Sequence, residues 1–249
     1  MSISSTPAAL RLVRAVGNPA RDESRTPQTF ETIRAAAAGA PLSEIMPDAP
    51  GDHAAALGFA LAWAIKASEG GVIFWAAPEQ DFFEDGLPNA EGLAQFGVPL
   101  DRLLLARTNS QADALWAAEQ ALATPGACAL CAITPSKKPL NLTATRRLLL
   151  TAEKYKTRCI LLRLDAAGAS AAWSRWRISA SPSMGAGREL GAPSFMAKVE
   201  RNRKGAANLS FNLNWDIHNH VFHPAAAMDG PVSAAPADRP ADADRFRAA

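Results

Sequence analysis

The stretch Asp52-His53-Ala54-Ala55-Ala56-Leu57-Gly58-Phe59-Ala60-Leu61-Ala62-Trp63-Ala64-Ile65-Lys66-Ala67-Ser68-Glu69-Gly70-Gly71-Val72-Ile73-Phe74-Trp75 changes its periodicity partway along. Leu57, Leu61 and Ile65 recur at helical spacing with Trp63 beside them, which predicts a helix over 52–67. Gly70-Gly71 stops it, because glycine takes up left-handed cap geometry at little steric cost, and Val72-Ile73-Phe74-Trp75 then reads as a short buried strand. A helix feeding a buried strand in this way belongs to folds in which helices cover a largely parallel sheet.

Working outward, Ser43-Glu44-Ile45-Met46-Pro47 is a strand leading through a loop into that helix, and Leu103-Leu104-Leu105 is a further strand. Ser110-Gln111-Ala112-Asp113 has the Ser-x-x-acid form that opens a helix, here one carrying Leu115, Trp116, Glu119 and Leu122 and ended by Pro125-Gly126. A strand over 127–133, a helix over 143–155 and a strand at Cys159-Ile160-Leu161-Leu162 follow. Beyond Leu164 the period changes to two. Residues 173–178 form one strand, Phe195, Ala197 and Val199 share a face of the next, and Leu209, Phe211, Leu213 and Trp215 alternate with Ser210, Asn212 and Asn214 in its return strand. The charged run Arg201-Asn202-Arg203-Lys204-Gly205 is the turn between the last two. The predicted class is α/β: a mostly parallel central sheet with flanking helices and a C-terminal antiparallel β-ribbon, spanning residues 42–223. Residues 1–41 read as an N-terminal helical appendage, with helices around 8–16 and 28–38 separated by Pro19 and Pro27. Residues 224–249, rich in Pro, Ala and Asp and poor in large apolar side chains, read as a disordered tail.

At 249 residues and 48% apolar, the chain can bury one sizeable core. No run approaches the roughly 20 apolar residues of a membrane span, and the N-terminus lacks a secretory h-region, so a cytoplasmic protein with no membrane contact is expected. Three cysteines argue against a disulfide framework. Charge is unevenly distributed: residues 42–136 carry three basic and twelve acidic side chains (net −9), and 137–204 carry fifteen basic and four acidic (net +11). Such asymmetry suits a basic face for nucleic acid or a head-to-tail assembly, and it also arises when cations merely line solvated faces.

Five segments in order resemble the ImuA family: the passage from Ser43-Glu44-Ile45-Met46-Pro47 to Gly58-Phe59-Ala60, Leu115-Trp116-Ala117-Ala118-Glu119-Gln120-Ala121-Leu122, Leu142-Thr143-Ala144-Thr145-Arg146-Arg147-Leu148, Ser174-Arg175-Trp176-Arg177-Ile178 and Val199-Glu200-Arg201-Asn202-Arg203. The resemblance spans about residues 42–216. It implies a degenerate RecA-like fold and a place beside ImuB, a Y-family polymerase homologue, and an error-prone C-family DNA polymerase, with RecA and single-stranded DNA as further candidate partners.

A working phosphate-binding loop needs glycines for its turn, backbone N–H groups aimed at phosphate, a Lys on the β/γ phosphates and a Ser/Thr hydroxyl for Mg²⁺. Here the loop reads Pro50-Gly51-Asp52-His53-Ala54. Asp52 sets a negative charge where phosphate would sit, and no Lys-Ser/Thr follows; as an alternative role, Asp52 caps the following helix. The general-base Glu of RecA-like enzymes should follow the next strand, where Trp75-Ala76-Ala77-Pro78 stands and Glu79 comes late. The Walker-B carboxylate should end the strand Ala129-Leu130-Cys131-Ala132-Ile133-Thr134, which has no acid. Phosphoryl transfer rests on positioning and charge stabilisation, so the expectation is no ATPase activity, no catalytic residues and no cofactor.

Cys128 and Cys131 stand three apart on a strand, hence on opposite faces, which predicts core thiols rather than a shared metal. His218-Asn219-His220 offers two imidazoles on one face of an extended segment, with Asp216 as the nearby acid. No Gly-x-Ser-x-Gly elbow occurs. The candidate DNA- or partner-binding residues are Arg175, Arg177, Arg201, Arg203 and Lys204, with Trp173 as a stacking surface; otherwise they are ordinary surface cations. Alternation places Trp173, Arg175 and Arg177 on one face and Ser174, Trp176 and Ile178 on the other, with Trp176 in the core. The expected function is a non-catalytic accessory factor of SOS-induced translesion DNA synthesis and repair. A SulA-like inhibitor of cell division and a RecA-type ATPase are the alternatives.

Overall fold

The computed structural model describes residues 39–134, 140–164, 168–183 and 191–225. Among these, the strands are β1 (Leu42–Pro47), β2 (Ile73–Pro78), β3 (Leu103–Thr108), β4 (Cys128–Ile133), β5 (Arg158–Arg163), β6 (Ser174–Ala180), β7 (Ser194–Asn202), β8 (Leu209–Asp216) and β9 (Val221–Pro224). They form one nine-stranded sheet in the order β3-β2-β4-β5-β1-β6-β7-β8-β9. The pairs from β3 through β6 are parallel, and β6–β7, β7–β8 and β8–β9 are antiparallel. The antiparallel strands thus continue the same sheet, and β6 belongs to both parts.

The helices are α1 (His53–Ala67), α2 (Glu79–Asp85), α3 (Ala90–Gln95), α4 (Gln111–Ala121) and α5 (Leu142–Tyr155). α4 starts as its sequence predicts: Ser110 Oγ accepts from Asp113 N at 3.2 Å and donates to Asp113 Oδ2 at 2.8 Å. α2 and α3 escape a periodicity reading because each is under three turns long, too short for a recurring apolar stripe. Asn89 opens α3 by accepting from Gly92 N at 3.0 Å. The helix stops before the glycines: after the C-cap Ser68 the chain turns left-handed at Glu69, φ +47°, and Gly70 follows at φ +88°. A Cβ on Gly71 would lie 2.1 Å from the Gly126 carbonyl oxygen, so two turns meet there at backbone distance.

α1 covers one face of the sheet, where Phe59 and Trp63 pack with Trp176, Phe195 and Phe222 in an aromatic cluster. α4 and α5 cover the other face through Ala114, Ala118, Leu148 and Ala152, mostly small residues that allow close approach. Cys128 lies in the first layer, Cys131 and Cys159 in the second, as strand parity requires.

The helices expected around 8–16 and 28–38 lie outside the described residues, as do 226–249. The expected boundary at 224 needs a correction. Pro224 pairs with Leu213 and Ala225 N donates to Asn212 O at 2.8 Å, so the sheet runs to Ala225. Phe222 is the reason, since its buried ring anchors β9 in the aromatic cluster.

Candidate functional site

β1 ends at Pro47, and a single 3-10 turn, Pro50–Asp52, carries the chain into α1. Asp52 occupies the N-cap position, but its side chain does not bond the helix, which corrects the capping role expected for it. Instead Oδ2 accepts from Ala49 N at 3.1 Å and Oδ1 from Ala180 N at 3.0 Å. The carboxylate therefore takes one N–H of the loop, that of Ala49, and through Ala180 N ties the loop to the end of β6. Gly51 has nothing within 4 Å of where a Cβ would stand, so this turn does not require glycine.

Beside the loop, at the C-terminal ends of β2, β4 and β5, lies a cleft of about 510 Å³. Leu57, Leu61, Trp75, Phe82, Leu93 and Leu162 supply apolar walls, and the linker between α2 and α3 forms one side. Its polar lining includes Asp81, which accepts from Thr134 Oγ1 at 3.3 Å, and the exposed His53. No Lys or Arg is among the described lining residues. Asp81, arriving from α2, went unremarked in the sequence because nothing local places it beside the end of β4. Glu79 faces Arg107 at 3.4 Å.

On the α4/α5 face, Glu44 of β1 is fully buried among three arginines. Arg163 Nη1 donates to Oε1 at 3.0 Å, Arg175 Nε donates to Oε2 at 2.8 Å, and Arg201 Nη2 stands 3.6 Å from Oε2. Arg163 is as buried as Glu44, whereas Arg175 and Arg201 reach the cluster from β6 and β7 with their side chains 16% and 34% exposed. Burial, and then the neighbouring Arg175 charge, lowers the Arg201 pKa from its usual value. Arg201 Nη1 also donates to the Ser170 carbonyl at 3.2 Å.

The structure thus divides the expected binding residues. Arg175 and Arg201 serve the Glu44 cluster, and Arg177 Nε donates to Glu200 Oε1 at 2.5 Å. Arg203 and Lys204 are exposed in the β7–β8 turn, with Lys204 Nζ 4.7 Å from the centre of the Trp173 ring. Trp176 is in the core, as alternation predicts. Lys198, exposed and directly across from Arg177 on β7, adds a cation to the same face and was not singled out in the sequence. Its alternation with Ala197 and Val199 was the available signal.

The His-x-His reading changes. Residues 217–220 form a turn rather than an extended segment, held by Asp216, whose Oδ1 accepts from His218 N and Asn219 N, each at 2.9 Å. His220 stacks on Trp215, and His223 Nε2 lies 3.7 Å from Asp216 Oδ2. Burial pushes the Cys128 and Cys131 thiols up to about 12. No group of three or more metal-ligating side chains occurs among the described residues.

At the far edge of the sheet, β3 pairs only with β2 among the described residues, and Leu104 and Leu105 on it are 55% and 39% exposed. Trp116 of α4, which packs behind this edge, is 60% exposed. As neighbours on one strand, Leu104 and Leu105 point to opposite faces of the sheet.

No family model matches the chain. Protein ImuA from two strains of Caulobacter vibrioides is 32% identical over 188 residues, covering 69% of this chain and 73% of each relative. Among solved structures, the RadB recombinase superposes with TM-score 0.51 at 12% identity, covering 80% of this chain and 97% of that one. SulA from Pseudomonas aeruginosa gives TM-score 0.39 at 20% identity over 50% of this chain and 98% of that one. No described helix is long and apolar enough to cross a membrane. The mostly parallel sheet with antiparallel C-terminal strands is the RecA-like fold shared with RadB, and by its 32% identity to Protein ImuA over 69% of its length the chain belongs to the ImuA family.

Proposed function

We propose that this chain is a non-catalytic accessory protein of damage-induced translesion DNA synthesis, acting through protein contacts with an ImuB-like Y-family polymerase homologue and an error-prone C-family polymerase. Membership of the ImuA family supports the DNA-damage-related accessory role. The observation that carries the non-catalytic reading is the loop after β1. There the Asp52 carboxylate occupies the Ala49 and Ala180 N–H groups, and the adjoining cleft has no Lys or Arg among its described lining residues to hold a triphosphate. Among the described residues, the loop and cleft thus lack the Lys and the full set of free N–H groups on which phosphate binding and charge stabilisation in transfer rest.

The contact surface in this proposal is the β3 edge. Its outward-facing backbone N–H and C=O groups can accept an added strand, and exposed Leu104, Leu105 and Trp116 flank it. A short ImuB segment imitating the docking strand between RecA protomers would add there, so that this chain recruits or caps rather than polymerises. Acidic side chains near this edge, including Asp101 and Asp113, would steer a basic segment and raise its on-rate. Size-exclusion with light scattering, alone and with the ImuB-like partner, tests the reading. A heterocomplex weakened by salt and lost on Leu104→Asp is expected; a chain that ignores the partner and polymerises alone on DNA overturns it. Calorimetry with Mg-ATP tests the non-catalytic part, and micromolar affinity with turnover overturns that.

A further inference from the structure

Strand parity sets Arg175 and Arg177 of β6 and Lys198 of β7 on the sheet face that α4 and α5 cover over β1, β2, β4 and β5. On the opposite face of the same two strands Trp176, Ile178, Ala197 and Val199 are buried, so the ribbon has one core side and one cationic side. Two like-charged pairs stand directly across the β6–β7 pairing: Arg175 opposite Arg201, and Arg177 opposite Lys198. Cations placed opposite each other on neighbouring strands destabilise a sheet. Glu44 serves Arg175 and Arg201 along with the buried Arg163, and Glu200 serves Arg177, so each pair keeps a surplus of positive charge. The crowding registers on Arg201, whose pKa is lowered first by burial and then by Arg175, with Arg203 acting in the same direction. Lys198 is exposed, as are Arg203 and Lys204 where β7 turns into β8. An anion repeated at the interval of the pairs would relieve this repulsion. Residues two apart on a strand are separated by roughly 6.6 Å, close to the separation of successive phosphates along an unpaired nucleic acid strand.

We propose that this face of β6 and β7, from Lys198 to the turn at Arg203 and Lys204, binds single-stranded DNA through its phosphates, with Trp173 stacking an unpaired base at the end of the track. Trp173 immediately precedes β6 and is partly exposed, and the turn is fixed beside it because Arg203 N donates to the Trp173 carbonyl at 2.9 Å. The Lys204 ammonium lies 4.7 Å from the centre of the ring. A stacked base takes the place of that ammonium, and the flexible lysine swings to the neighbouring phosphate. A duplex keeps its base faces stacked on one another and has none to offer the ring. The choice of DNA rests on the damage-related role proposed above, whereas the charge track and the ring are features of the fold and need no polymerase partner.

Anisotropy of a short fluorescein-labelled oligothymidylate, titrated with the full chain over a salt series, tests the proposal without any partner protein, so its failure is distinct from a failure of the β3-edge reading. Lys198→Ala should flatten the salt slope by about 0.7, and joint replacement of Lys198, Arg203 and Lys204 by Ala by about 2.1, at roughly 0.7 for each phosphate released. Lys66→Ala, an exposed cation on α1 at the other face of the sheet, should leave the slope unchanged. Trp173→Leu should weaken binding about fivefold or more with the slope intact, which separates stacking from charge. Thermal melts establish that each variant is folded. Duplex DNA and polyglutamate should compete less well than unlabelled oligothymidylate. No binding by the folded chain, a slope indifferent to the joint replacement, or polyglutamate or duplex competing as well as the single strand would overturn the proposal, and tighter binding of oligouridylate than of oligothymidylate would overturn the assignment to DNA.

Discussion

Glu44 and Arg175 stand directly opposite each other across the parallel β1–β6 pair, and Arg175 Nε donates to Glu44 Oε2 at 2.8 Å. The interaction joins the parallel part of the sheet to its antiparallel extension, because β6 pairs with both β1 and β7. Removing one partner of a buried ion pair leaves the other charge without compensation. Glu44→Gln should therefore cost about 3–5 kcal/mol of stability, with Arg175→Ala and then Arg201→Ala costing progressively less as exposure to water rises. Urea unfolding of the three variants measures the order. A Glu44→Gln protein as stable as the parent would show that the arginines find other partners.

The basic turn gives a sharper DNA test once Arg201 is set aside as part of the Glu44 cluster. If Arg203 and Lys204 reach phosphates, replacing both with Ala should flatten the salt dependence of single-stranded DNA binding by about 1.4, at roughly 0.7 for each phosphate no longer neutralised. Fluorescence anisotropy over a salt series reads the slope. An unchanged slope moves any DNA binding away from this turn, with Arg177 and Lys198 the next residues to examine.

Asp216 should impose a pH dependence. Hydrogen bonds from the Asn219 side chain, then from the Asn219 and His218 backbone, hold its carboxyl at about 2 rather than 3.8. A depressed carboxyl stabilises the fold above its unfolded pKa, and that contribution is lost as pH falls through the folded one. The stability gap between the parent and Asp216→Asn should thus be full above about pH 4 and close towards about pH 2. Denaturant midpoints across that window check it; a constant gap would mean the turn depends on shape and not charge.

Truncation should separate the role of β9 from that of the C-terminal tail. Deleting 226–249, where few large apolar side chains are available to offset chain entropy, should shift Tm by only a few degrees. Phe222→Ala, by contrast, opens a cavity beside Phe59 and Trp215 and should cost about 3–5 kcal/mol. A large loss on deleting the tail would show that it docks on the sheet.

The thiols should be silent in the native protein. Cys128, Cys131 and Cys159 are buried, and the first two titrate near 12, so almost no thiolate exists at neutral pH. Ellman's reagent at about pH 8 should find no rapidly reacting thiol until denaturant is added, and then all three. Rapid native reaction would mean the sheet opens locally around β4 or β5.

Local periodicity made most of the elements legible. The spacing of Leu57, Leu61 and Ile65, the Gly70-Gly71 stop, the Ser110 cap and the alternation around Phe211 and Trp215 each report which side of one element avoids water, and that information lies within a few neighbouring residues. The same parity separated Cys128 from Cys131 and put Trp176 inside. What periodicity does not carry is register between distant strands. Arg163 and Arg175 meet Glu44 from 119 and 131 residues away, so a glutamate in a short strand and arginines in a basic segment gave no local sign that they form one buried cluster. Asp52 was legible as an obstacle to phosphate, but its bond to Ala180 N exists only because β6 packs beside β1. The β3 edge and the apolar cleft likewise depend on strand order. That order is set by which long-range pairings bury the most apolar surface once the loops close, a balance over the whole chain that no short window contains.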